Sequence, residues 1–306
     1  MIPFLKLLRL KNLATITIAM LGVAYFIHVQ NPYEVIDFNN YHFGLLIFST
    51  LLIAAAGHMI NDYFDIKADR INKPEHLVLS KFLSKRWAIL LNWILNILGL
   101  SIAFYLSWQY KNLLFVAIHL LSINFLWFYS AYWKRKLILG SVVLSILPSL
   151  VLFLSCWYIQ ACNESAAEHS PYHPATWSTY LDYRFIYFVA ICAFFITLSK
   201  EIIKDIHDIP GDTIIKANTI PRKIGSHKAQ LLSLLILQLP ALLYFLLLLF
   251  TDFALPTTYT KGVLIFVGLS FLLSLLLHFL VPNFLAKNMK WAQNIALLLG
   301  LTCLFF

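Results

Sequence analysis

Hydrophobic positions dominate this chain in long unbroken runs, and polar positions gather in the gaps between them. Nine runs fall at about residues 13–30, 43–60, 87–106, 112–131, 137–157, 184–199, 229–250, 262–281 and 290–306. Each approaches the roughly 20 residues that an α-helix needs to cross the hydrocarbon core of a bilayer. They are too long for barrel strands, and backbone in lipid must satisfy its hydrogen bonds internally, so the runs predict transmembrane helices. The first run follows Lys6, Arg9 and Lys11, as a signal peptide would, but no small-residue cleavage pattern succeeds it. It predicts a retained span.

Composition agrees with the pattern. The 306 residues are 60% hydrophobic and 12% charged, half the charge of a soluble domain at about 25%. The expectation is an all-α membrane protein, one integral domain over residues 1–306, with nine transmembrane helices in a bundle. Loop charge sets its orientation. The N-terminus and the gaps after spans 2, 4, 6 and 8 hold 20 of the 23 lysines and arginines, while the other side holds Lys111, Arg184 and Lys261. Positive charge stays inside, so the N-terminus and those gaps are expected in the cytoplasm. The net charge of +9 then faces anionic lipid head groups. Nucleic acid is excluded as a partner because no separate basic domain exists to carry it, and no obligatory protein partner is evident.

Three gaps exceed ordinary loop length: 61–86, 158–183 and 200–228. The middle one, "QACNESAAEHSPYHPATWSTYLD", is expected as a capping loop on the outer face, with His169 and His173 as loop residues. Cys156, Cys162, Cys192 and Cys303 show no metal-binding spacing; Cys156 and Cys162 are expected as two separate thiols, with a pairing of the two as the alternative.

The other two gaps resemble each other. "NDYFDIKADRINKP" at 61–74 places Asp62, Asp65 and Asp69 at a 3-then-4 spacing, and "KEIIKDIHDIPGD" at 200–212 repeats it with Asp205, Asp208 and Asp212. On a helix such residues fall within roughly 60° of one another. Carboxylates on one stripe repel and resist ionisation unless a cation sits among them. A hard divalent ion such as Mg²⁺ prefers carboxylate oxygen and completes its shell with water and phosphate. The chain can bring the two stripes face to face, which suggests a diphosphate site. Pro210 and Gly211 predict that the second helix ends after Asp208, with Asp212 reaching in from a turn. One such triplet alone would read as solvated charge at a helix end. Two at equivalent topological places, with Asn61 ahead of the first, argue for a site. The flanking cations Lys67, Arg70, Lys73, Lys204, Arg222 and Lys223 fit that reading.

These two motifs resemble those of the UbiA superfamily of intramembrane prenyltransferases: "NDYFDIKADRINKP" is similar to its N-D-x-x-D-x-x-x-D-x-x-N-x-P run, and "KEIIKDIHDIPGD…NTIPRKIG" to its second aspartate motif. The resemblance implies nine helices around a central cavity, with Asp62, Asp65, Asp69, Asp205, Asp208 and Asp212 holding Mg²⁺ against a prenyl diphosphate. It implies Asn61, Lys67, Arg70 and Lys204 as diphosphate neighbours. "YSAYWKRK" loosely matches the family's Tyr–Lys motif, giving Lys134 and Tyr129 as further diphosphate contacts, with Tyr132 and Lys136 as the alternative spacing. "RLKN" resembles R-P-x-N with Leu10 in place of proline, and carries over Asn12 toward the acceptor.

An allylic diphosphate leaves only if its departing charge is stabilised, and the allylic cation left behind needs a dry, aromatic-lined space. The lipophilic acceptor is expected to be geranylgeranylglyceryl phosphate, since "KEIIKDIHDIPGD" resembles members that build ether lipids, while the R-P-x-x-S-G stretch of quinone-ring prenyltransferases is absent after the first motif. A hydroxybenzoate, dihydroxynaphthoate or homogentisate acceptor is the alternative. A transporter with an acidic vestibule is the competing class, although transporters set ionisable groups near the midplane and these acids lie at the rim. The expected location is a bacterial inner membrane, with both motifs facing the cytoplasm.

Overall fold

Long apolar helices make up most of what the computed structural model describes, residues 8–30, 39–72, 84–169 and 183–250. Among these residues there are eight α-helices, one 3-10 helix and no strand. They are α1 (Leu10–Gln30), α2 (Asn40–Asn72), α3 (Lys85–Gln109), α4 (Leu114–Ala131), the 3-10 helix Trp133–Arg135, α5 (Leu139–His169), α6 (Arg184–Ile214), α7 (Ile220–Ile224) and α8 (Ser226–Phe250). All but α7 are long and apolar enough to cross a membrane, and they match the first seven expected spans in order. The expected spans 262–281 and 290–306 lie outside the described residues, as do Lys73 and Cys303.

Three helices overrun the bilayer. α2 has 33 residues, and α5 and α6 have 31 each, about 50 and 46 Å at 1.5 Å per residue, against a hydrocarbon core of about 30 Å. The surplus in α2 and α6 is the polar C-terminal end, where the aspartates lie.

The packing forms two compact units interleaved in sequence, Met1–Trp133 with Leu150–Ile186 and Lys134–Ser149 with Tyr187–Phe306. In the first unit α2 packs against α1, α3 and α4. The backbones approach closely where side chains are small: a β-carbon at Gly99 would meet the Ser49 carbonyl oxygen at 3.1 Å. Asn92, buried on α3, donates through Nδ2 to the Ala56 carbonyl (2.8 Å), the kind of polar link between helices that lipid surroundings favour. At the end of α2 remote from its aspartates, the Tyr158 hydroxyl donates to the Asn39 carbonyl (2.7 Å) and lies 3.2 Å from the Tyr110 hydroxyl. The latter oxygen is 2.9 Å from His42 Nδ1.

In the second unit Ile202 on α6, Ile220 on α7 and Ala229 on α8 form one buried apolar cluster. Ser199 and Ser233 clasp α6 to α8, each hydroxyl donating to the other residue's carbonyl (2.9 and 3.0 Å).

Two expectations need correction. The outer stretch 158–183 does not begin as a loop, because α5 continues to His169. Its residues 159–169 turn polar but contain no glycine or proline, and Gln160 Nε2 donates to Glu164 Oε1 one turn on (2.9 Å). Loss of hydropathy ends the span without ending the helix. The second motif's helix likewise does not stop after Asp208: α6 carries Pro210 inside it and runs to Ile214. Proline removes one donor and crowds the preceding turn, yet the helix resumes, with the Thr213 hydroxyl donating to the Ile209 carbonyl (2.8 Å) and the Ile215 N–H to the Gly211 carbonyl (3.3 Å). Cys156 and Cys162 are buried thiols, as expected.

Candidate active site

The first triplet rides on the last turns of α2. Its apolar flank, Met59 and Ile66 with Tyr63, packs against Ala88, Leu91 and Leu95 of α3. Another flank meets α4, where Phe64 lies edge-on to Trp127 (5.9 Å) and a β-carbon on Gly57 would strike Leu126. Between these contacts the helix presents Asn61, Asp62, Asp65 and Asp69, as the spacing predicts. Asp65 is buried, with 6% of its surface exposed. Asn61 Nδ2 donates to Asp65 Oδ2 (2.9 Å), while Asn61 Oδ1 is buried with no hydrogen-bond partner among the described residues. An acceptor oxygen left so is costly unless a donor or cation meets it.

Arg9 joins the first triplet and is absent from the site residues expected above. Its Nη2 pairs with Asp62 Oδ1 at 2.5 Å. The residue stands in the turn before α1 with a left-handed φ of 51°, and its carbonyl accepts from the Asn12 N–H (2.8 Å). Burial works to lower the Arg9 pKa, but the charges of Asp62, then Asp65 and Asp69, outweigh it and the net direction is upward. The guanidinium therefore stays cationic and partly neutralises the stripe.

Lys67 and Arg70 are not brought in. Both are exposed and neither forms an ion pair among the described residues; Lys67, two positions after Asp65, projects from the far side of α2. Asn12 is exposed on α1. Tyr129 is buried on α4, and the 3-10 helix after it is pinned by Trp133 stacking on Phe128 (5.5 Å).

The second triplet lies on α6. Asp208 and Asp212 are buried, at 8% and 4% exposure, and Asp205 is half-buried. Because the helix continues past Pro210, Asp212 stays on the same stripe. One turn before Asp205 the stripe gains a further buried carboxylate, Glu201, which Lys204 Nζ meets at 2.6 Å. Lys204 and Lys134 both lie within electrostatic reach of Asp205. Arg222 Nη1 donates to the Ala217 carbonyl and to the Asp212 carbonyl (3.3 Å), fixing the turn after α6. Arg9 and Glu201 carried a faint signal in the sequence, a cation in "RLKN" and an acid just ahead of the triplet.

Among the described residues no three histidine, cysteine, aspartate or glutamate side chains stand close enough to hold a metal ion alone. A hard ion such as Mg²⁺ is held by one or two carboxylates and fills the rest of its shell with water and phosphate oxygen. The donors offered are all oxygens, and Asn61 Oδ1 adds a buried one in want of a partner, so the residues fit such an ion.

Known proteins carry the same architecture. The family model of the UbiA prenyltransferase family matches residues 18–298. A digeranylgeranylglyceryl phosphate synthase of Methanothrix thermoacetophila is 31% identical over 69% of this chain and 70% of its own. One of Methanococcus maripaludis is 28% identical over 99% of this chain and 96% of its own. Among solved structures, a digeranylgeranylglyceryl phosphate synthase superposes with a TM-score of 0.65 at 22% identity, covering 99% of this chain and 96% of that one. A UbiA homologue from Archaeoglobus fulgidus bound to DMAPP and Mg²⁺ superposes with a TM-score of 0.59 at 15% identity, over 99% of both chains. With its two aspartate triplets on helices of this fold and a family match from residue 18 to residue 298, the chain belongs to the UbiA prenyltransferase family.

Proposed function

We propose that this protein transfers the geranylgeranyl group of geranylgeranyl diphosphate to geranylgeranylglyceryl phosphate, with Mg²⁺. The observation that carries the chemistry is the burial of Asp65, Asp208 and Asp212 at the polar ends of α2 and α6. Carboxylates held out of water call for positive charge close by, and Mg²⁺ would add to what Arg9, Lys134 and Lys204 bring. The choice of acceptor is supported by the digeranylgeranylglyceryl phosphate synthases of Methanothrix thermoacetophila and Methanococcus maripaludis.

In this reading the Mg²⁺ ligands are drawn from Asp62, Asp65 and Asp69, and separately from Asp205, Asp208 and Asp212, one or two carboxylates to an ion, with Asn61 Oδ1 available beside the first triplet. Bound Mg²⁺ neutralises the diphosphate and stabilises the charge that grows on it as it leaves. Lys134, Lys204 and Tyr129 contact the diphosphate. Arg9 and Lys204 hold Asp62 and Glu201 in place by ion pairing. The allylic carbon–oxygen bond breaks with its electron pair going to diphosphate. The acceptor hydroxyl oxygen then bonds to that carbon, and its proton passes to the departed diphosphate. Asn12 keeps its acceptor role on the resemblance alone, and Lys67 and Arg70 are surface charges.

The chain is an integral, multi-pass membrane protein. We place nine spans in it, with the N-terminus and both motifs in the cytoplasm, on the support of the one-sided loop charge. The family match across residues 18–298 supports a single catalytic domain. The relatives named above are archaeal, so the proposed location is a cell membrane without restriction to bacteria.

The test uses purified protein in detergent with labelled geranylgeranyl diphosphate, with and without Mg²⁺. The acceptors are geranylgeranylglyceryl phosphate and a panel of hydroxybenzoate, naphthoate and homogentisate compounds. Mg²⁺-dependent transfer to the glyceryl phosphate is expected. Asp65→Asn and Asp208→Asn should each lower turnover by about a hundredfold or more with the protein still folded. Near-normal turnover in either variant would remove its triplet from the chemistry.

A further inference from the structure

The turn after α6 carries more positive charge than the fold accounts for. Three segments meet there, bond by bond. The Asn218 N–H donates to the Arg135 carbonyl (2.9 Å), and the Lys223 N–H to the Thr219 carbonyl (3.2 Å). Arg222 joins the Ala217 and Asp212 carbonyls. The Asn218 and Arg222 bonds tie the segments that carry Arg135, Lys136, Lys216 and Lys223 to the end of α6, within the unit that holds the second triplet. All four are exposed, and none forms an ion pair among the described residues. Unpaired like charges held together raise the local potential and draw in an anion.

Lys216 stands in the turn itself. Its φ is 54°, in the left-handed region often seen just past a helix end, as it is at Lys111 (47°) just past α3. General attraction to lipid head groups explains exposed cations near a membrane. What is particular here is that hydrogen bonds tie the cation-bearing segments to the end of the helix that carries the second triplet.

We propose that Arg135, Lys136, Lys216 and Lys223 bind the phosphomonoester of the acceptor lipid. The proposal rests on the reading above that the acceptor is a glyceryl phosphate. A phosphomonoester carries between one and two negative charges at neutral pH, and in that acceptor it shares a three-carbon glycerol with the reacting hydroxyl. Holding the phosphate therefore orients the hydroxyl, which is where much of the advantage of a bound reactant lies. Aromatic acceptors without a phosphate gain nothing from such a surface, so it also selects the substrate class.

The test compares wild type, Lys216→Gly, Lys216→Gly/Lys223→Gln and the charge-loss control Lys85→Gln, an exposed residue at the start of α3. The proteins are held in phosphatidylcholine nanodiscs, so that anionic lipid contributes nothing. KM is measured for geranylgeranylglyceryl phosphate, for its phosphate-free analogue geranylgeranylglycerol, and for geranylgeranyl diphosphate. The KM for the phosphate acceptor should rise about threefold in the single variant and about tenfold in the double. The KM for geranylgeranyl diphosphate and the activity with the phosphate-free analogue should stay unchanged. Thermal stability should hold, or rise in Lys216→Gly as the backbone relaxes. An unmoved KM in the double variant of an active enzyme overturns this proposal alone, as does an equal loss with both acceptors or in Lys85→Gln. A wild type that ignores the phosphate acceptor overturns the reading of the acceptor, and this proposal with it.

Discussion

Replacing Gly57 by alanine should destabilise the protein, and the sign should invert once Leu126 is shortened. A β-carbon on Gly57 would stand 2.6 and 2.7 Å from the two terminal carbons of Leu126 and 3.0 Å from its Cγ. Ordinary carbon contacts lie at about 3.5–4.0 Å, so α4 or the Leu126 side chain must yield by about 1 Å. Overpacking of this kind costs about 1–3 kcal/mol. Alanine returns about 1 kcal/mol as the better helix former. The net loss for Gly57→Ala is then about 1 kcal/mol, with an upper bound of about 2. In a Leu126→Ala background the opposing atoms are gone and only the helical gain is left, so the same change should stabilise by about 1 kcal/mol. Gly44, on the same helix, has nothing within 4 Å of such a β-carbon. Gly44→Ala therefore serves as the reference and should stabilise in both backgrounds. The assay is equilibrium unfolding in mixed micelles, read by far-ultraviolet circular dichroism, over the full double-mutant cycle. Gly57 precedes Asn61 by one turn, so turnover should fall in Gly57→Ala and recover in the double variant. A coupling between the two positions below about 0.5 kcal/mol would refute the close approach of α2 and α4.

Two further outcomes follow from other contacts. Arg9→Gln should lower stability by about 1 kcal/mol in EDTA, the scale of a partly exposed ion pair, and by less in excess Mg²⁺, which can take over the neutralisation of Asp62; an equal loss in both, in thermal unfolding, would detach Arg9 from the metal site. Tyr158→Phe removes one of two donors to the Asn39 carbonyl, which keeps the Phe43 N–H (3.0 Å), and should cost about 1 kcal/mol while the KM values for both substrates hold; lost transfer at undiminished stability would give that remote cluster a part in the reaction.

The spans and the acid stripes were legible because both follow from periodicity. Hydropathy marks where lipid begins, and a 3-then-4 spacing can lie on one helix face whatever surrounds it. Helix ends were less legible. Residues 159–169 lose hydropathy and keep helix-forming side chains, so span and helix part company there. At Pro210 the local rule against proline yielded to packing, because Ile202, Ile203 and Ile206 are anchored against α7 and α8 and carry the helix through. Partner choice across the fold was least legible. Lys67 and Arg70 are near the first triplet in sequence yet exposed, whereas Arg9, more than fifty positions earlier than Asp62, reaches it. Lys134 was singled out by a motif resemblance, and spacing alone would not have done so.

The aspartates stand on the overrunning ends of helices that also cross the bilayer, and this decides when the site acquires its order. Fixing a residue's backbone costs about 1–2 kcal/mol, so a loop spanning 62–69 would charge roughly 10 kcal/mol to the moment of metal binding. On α2 that entropy is lost earlier, when the helix inserts and packs. Chelation should therefore strip the metal without melting the motif, and a returning ion meets ligands already in line. Assembly of the site belongs to the protein's biogenesis, and each turnover starts from a scaffold that is already folded.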